Sequence, residues 1–146
     1  MYRFVVLSSL VTILSACSPI DNRSTNKAIA RNYIEMLENK DKTSGWELYF
    51  ADPVKFNGNE MSRQALMRLA NNVFSPYADL QANIEDQIAD GDTVVTRVIF
   101  EGSKRDDVND TPPSGTRVRF LAIAIDRFKG DKVVEMWHTI EDLDVP

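Results

Sequence analysis

Histidine and cysteine each occur once in this chain, as His138 and Cys17. His138 falls between Trp137 and Thr139 in a stretch that reads as a strand. An imidazole titrates near neutral pH, so it can move a proton or hydrogen-bond a ligand. The plainer alternative is a buried histidine satisfied by its surroundings. One histidine excludes a His-rich metal centre, and one cysteine excludes an internal disulfide and any CxxC site. Asp106, Asp107 and Asp110 share a polar loop but lack the liganding pattern and closing glutamate of an EF-hand, so no metal is expected. There is no Gly-rich phosphate loop, nucleophile elbow or HExxH. The formal net charge is −5, which leaves no basic footprint for nucleic acid.

Cys17 takes its meaning from what precedes it. Arg3 is the only charge before Asp21, and Phe4 to Leu14 is apolar or small throughout. A helix of that length rises only about 16 Å, against a hydrocarbon core of about 30 Å. A basic tip, a short apolar run and small residues before a cut describe a secretory signal. Leu14-Ser15-Ala16-Cys17 resembles the bacterial lipobox, where cleavage precedes a lipidated cysteine. Residues 1–16 are therefore expected to be a lipoprotein signal peptide, with Cys17 the membrane anchor. An unpaired exposed thiol would otherwise be awkward in an oxidising compartment. Ser18, in place of Asp, implies sorting to the outer membrane with the domain facing the periplasm. Residues 17–26 are polar and read as a tether. The domain is then expected over 27–146, a single unit of ordinary globular composition, with 43% hydrophobic and 27% charged residues overall.

Within that span the period changes once. Ala30, Tyr33, Ile34 and Leu37 form one apolar helical face over residues 27–41. Residues 44–50 suit a short helix, Val54 and Phe56 a short strand, and residues 62–74 a third helix ended by Pro76. From Leu80 the period is two. Asp90-Gly91-Asp92 and Lys129-Gly130-Asp131 are turns between long strands. Lys104 and Arg105 open the polar loop and are expected at the solvated surface. Helices first and antiparallel strands after define an α+β chain. The strand from Arg117 to Phe128 is apolar at both parities, so both its faces should be covered, one by the helices and the other by a second sheet or, more simply in a domain this small, a partner chain. Trp46, Tyr49, Phe50, Phe74, Phe100 and Phe120 could line an apolar cavity or simply pack the core. Asn57, before Gly58, could point into such a cavity or shape a turn.

Three stretches resemble the SnoaL-like polyketide cyclases of the nuclear-transport-factor-like superfamily. They are residues 78–102 (ADLQANIEDQIADGDTVVTRVIFEG), Thr111-Pro112-Pro113-Ser114-Gly115 with Val118 and Phe120, and Ile125 to Phe128 followed by Gly130 to Glu135 and Trp137. The resemblance implies a cone-shaped barrel, a curved antiparallel sheet wrapped around N-terminal helices, with a deep apolar pocket. It implies a homodimer through the outer sheet face, where Leu121, Ile123, Ile125, Ile99 and Trp137 are candidates. It also implies a small apolar ligand and chemistry without a metal or cofactor.

The family's acid/base aspartate corresponds to His138, and its partner, His or Asp, corresponds to Ala124. That departure puts the cyclase mechanism in doubt. Asp126, two residues beyond Ala124 on the same strand face, is the candidate displaced partner. Asn57 matches an inward polar position, so Asn57, Trp46, Phe100, Phe120 and Ala124 are the candidate ligand-binding residues. His138 and Asp126 are the candidate catalytic ones. A ligand-binding domain, an acid/base enzyme of cyclase, isomerase or hydratase type, and an interaction module using the outer sheet face all remain open.

Overall fold

The computed structural model describes residues 22–38, 44–105 and 115–143. The first helix, α1 (Arg23–Met36), buries Asn26, Ala30, Tyr33 and Ile34 along one stripe. It begins inside the segment read as tether, because Asn22 already accepts the Asn26 amide as a helical turn. The second, α2 (Trp46–Tyr49), is shorter than its expected span. Phe50 turns extended and starts β1 (Phe50–Phe56), since the Asp52-Pro53 pair disfavours continued helix. Asn57 and Gly58, with φ of 45° and 83°, make the tight turn into β2 (Asn59–Met61). The Ser62 hydroxyl then caps α3 (Arg63–Phe74) by accepting from the Ala65 amide at 3.2 Å.

Four long strands follow: β3 (Tyr77–Asp90), β4 (Thr93–Lys104), β5 (Arg117–Lys129) and β6 (Lys132–Asp142). The sheet order is β2-β1-β6-β5-β4-β3. It is curved and unclosed, with β2 and β3 as its edges. Pairing is antiparallel except between β1 and β6, which run parallel. The expected all-antiparallel sheet is corrected there. The chain between those two strands is long enough to return in the same sense, which a short hairpin cannot do. Register shifts in β3 and between β5 and β6 supply the bend.

Curvature gives the sheet a concave face packed on the helices and a convex face away from them. Val94, Val98, Phe100, Phe120, Ala122 and Val133 are buried on the concave side. Phe100 and Phe120 stack at 5.3 Å, and Phe74 of α3 lies 5.0 Å from Phe100. Lys104 has the same inward parity and is buried, with no partner for Nζ among the described residues. Its expected surface position is therefore wrong. The strand continues inward past Gly102, so position 104 cannot face solvent.

Candidate functional site

The helices do not fill the concave face completely. A cavity of about 200 Å³ remains between them and the sheet. Tyr33, Ile34 and Leu37 of α1 and Trp46 of α2 form one side. Leu66, Leu69, Ala70 and Val73 of α3 form another. Phe50 and Phe56 of β1, Val98 and Phe100 of β4, Ala124 of β5, and Met136, His138 and Ile140 of β6 close the rest. A cavity of about 150 Å³ with comparable walls stays dry and takes up benzene, so this one suits a small ring system.

His138 lies on this wall and faces Ala124, its cross-strand partner. The pairing of the two positions is thus as the resemblance implied, but Ala124 supplies no polar group. Among the described residues the His138 ring has no hydrogen-bond partner. Its nearest ring is Phe56, edge-on at 6.5 Å between centroids. Burial holds its pKa below the ordinary histidine value. At neutral pH the ring is therefore neutral, with one donor and one acceptor nitrogen.

Asn57 is not on the cavity wall. Its side chain accepts from the His138 amide at 2.8 Å and donates to the His138 carbonyl at 3.1 Å. Its own amide donates to the Met136 carbonyl. Asn57 therefore prolongs the β1–β6 pairing past the end of β1 and fixes the backbone that carries His138. Trp46, Phe100 and Ala124 do line the cavity. Phe120 packs against Phe74, Phe100 and Tyr77 instead. Cys17 lies outside the described residues.

Asp126 is fully buried behind the wall, across from Val94 and Met136. It meets Tyr33, not His138: the Tyr33 hydroxyl donates to Oδ2 at 2.6 Å. Oδ1 has no partner. Burial raises the Asp126 pKa to about 7, and the Tyr33 hydrogen bond opposes that rise. Tyr33 is held well above its ordinary value by burial, then by the Asp126 charge and their hydrogen bond. Sequence reasoning placed Tyr33 on an apolar face and missed this pair. The available signal was Asn26 and Tyr33 sharing one buried helical stripe with Asp126 at inward parity on β5.

Among the described residues no group of three His, Cys, Asp or Glu side chains is placed to hold a metal ion. No described helix is long and apolar enough to cross a membrane. Leu121, Ile123, Ile125, Ile99 and Trp137 all lie on the convex face. There Ile88, Val95, Ile125 and Trp137 form one row across four strands.

An unclosed, curved sheet around N-terminal helices, with an apolar cavity between them, defines a class of α+β folds. The chain belongs to the SnoaL-like polyketide cyclase family, whose model matches residues 27–145. Solved structures agree on the fold. AclR from Streptomyces galilaeus superposes with a TM-score of 0.69 at 23% identity, covering 82% of this chain and 90% of that one. A SnoaL-like polyketide cyclase from Agrobacterium tumefaciens gives 0.65 at 21%, covering 80% and 91%. TsrD from Streptomyces laurentii gives 0.68 at 16%, covering 82% and 90%. A comparison with curated protein sequences finds no match.

Proposed function

We propose that this domain binds a small apolar molecule in the cavity between helices and sheet. The observation that carries the reading is the wall itself. Aliphatic and aromatic side chains from every layer converge on a space that none of them fills. Burying an apolar ligand there gains about 25 cal/mol per Å². A bicyclic ketone such as decalone is a suitable probe. Saturable binding to the full chain is expected, and its absence would remove this reading.

A second reading has one specific observation in its favour. His138 is a neutral, unpartnered imidazole on the wall of an apolar cavity, which is the state a general base requires. Cofactor-free proton transfer beside a ligand carbonyl is the reaction class it would serve. Asp126 is engaged with Tyr33, so His138 would act without it. Once a substrate is in hand, His138→Ala should lower turnover by about 100-fold or more. Unchanged turnover would reject the role.

The cellular setting of the binding domain is also a proposal. The apolar run ending in Leu14-Ser15-Ala16-Cys17 supports lipid anchoring at Cys17, with the domain facing the periplasm from the outer membrane. Cys17→Ser should move the chain from the membrane to the soluble fraction. A variant that stays with membranes would reject the anchor. The apolar row on the convex face supports a homodimer, or a docking surface for another protein.

A further inference from the structure

Among the described residues that line the cavity, Tyr33 is the one that carries a hydroxyl, and that hydroxyl meets a buried carboxyl behind the wall. Tyr33 belongs to the wall, whereas Asp126 does not. The two meet at 2.6 Å, and Asp126 leaves its second oxygen unpartnered. Among the described residues no side chain outside this pair hydrogen-bonds either group.

The geometry points to Tyr33 as the polar contact of the cavity, donating a hydrogen bond to a carbonyl on an otherwise apolar ligand, with Asp126 as the positioning residue that controls whether that proton is free. The assignment rests on the reading that the cavity holds an apolar ligand. When Asp126 is ionised, it accepts the Tyr33 O–H, and the proton points away from the cavity. When Asp126 is protonated, its own O–H can donate to the Tyr33 oxygen. The Tyr33 proton is then released toward the ligand. Binding a carbonyl ligand therefore favours protonated Asp126 and draws in a proton wherever that group is partly ionised.

The surroundings keep this exchange local. From α1 the titratable group that meets Asp126 is Tyr33. The neighbouring β4 positions are Val94 and Thr96, neither of which titrates near neutral pH. On β6 the partner is Met136, and His138 lies two residues further along, opposite Ala124. Burial and Tyr33 account for the raised Asp126 pKa, with no cation contributing.

The test is calorimetric titration of the full chain with decalone and with decalin, its hydrocarbon counterpart. Decalone should bind about 10-fold more tightly at about pH 6, and that advantage should shrink at about pH 8.5. Near the midpoint, the heat of decalone binding should depend on the buffer's ionisation enthalpy, showing proton uptake. Decalin should show none. Tyr33→Phe should close the gap between the two ligands, and Asp126→Asn should remove its pH dependence. The proton-uptake measurement uses the unaltered chain, so it stands even if a variant fails to fold. Equal affinity for both ligands without proton uptake would overturn the proposal and leave the cavity reading standing. A gap that survives Tyr33→Phe and disappears in His138→Phe would overturn it in favour of His138. Failure of both ligands to bind would overturn the cavity reading and the proposal with it.

Discussion

Burying the Asp126 carboxyl beside a single phenol fixes the sign of one contribution to stability. Its pKa is about 7 in the fold against 3.8 ordinarily. Below the ordinary value the group is protonated folded and unfolded alike. Between the two values the folded chain holds a proton that the unfolded chain has lost. Stability from this group is therefore full at low pH, falls as pH rises toward about 7, and is flat above. The loss should be on the order of a few kcal/mol. Asp126→Asn should remove it, so its stability relative to the unaltered chain should rise from about pH 4 to about pH 7 in urea titrations. His138 acts in the opposite sense. Its lowered pKa withdraws stability as pH falls below the ordinary histidine range, and it does so in both chains. Asn57 offers an independent check. Asn57→Ala loses two hydrogen bonds to β6 and strains a φ of 45°, and should cost about 2–3 kcal/mol. Asn57→Gly, which tolerates that φ, should cost less. Equal costs would show that the backbone conformation is irrelevant there.

At the scale of elements, the cavity exists because small residues sit where large ones could. Ala124 and Ala70 face it from opposite layers. Ala124→Leu should fill part of the space, weaken decalone binding by about 10-fold or more, and leave the melting temperature unchanged or raised. A large loss of stability would mean that the wall is already close-packed. Much of this layer was legible in the sequence. The inward parity of β5 was legible as a core-facing set, Ser62 announced the start of α3, and the outer parity of β5, apolar as well, faces away from the helices with Ile125 exposed. Trp46, Phe100 and Ala124, residue types that suit an apolar wall, line the cavity. Phe120 stacks on Phe100 instead, and the sequence does not separate the two outcomes, because stacking and lining a void call for the same residue type. The parallel β1–β6 pairing was also hidden, since it joins segments about eighty residues apart and leaves no local pattern. Asn57 showed its turn-forming character, but its grip on the β6 backbone depends on that same distant pairing. Tyr33–Asp126 was invisible for a similar reason: helix and strand periods fix faces, not which residues of two faces meet.

The whole molecule presents two apolar features of different kinds. The cavity lies on the concave side between helices and sheet, while the row of Ile88, Val95, Ile125 and Trp137 lies on the convex side. Ile88, Ile125 and Trp137 are 62%, 42% and 48% exposed. This row is the part of the convex face that supports the proposed partner surface. If that partner is a second copy, Ile125→Glu should convert a dimer to a monomer in sedimentation velocity and leave ligand binding in place. Two identical sedimentation profiles would reject the dimer assignment for this face. Because both features could attract an apolar molecule, binding alone does not place it. Methyl-resolved NMR during a decalone titration does. The account predicts saturable shifts at Ile34, Val98 and Met136, with Val95 and Ile125 unmoved. Shifts at Val95 and Ile125 with the inner methyls unchanged would contradict it.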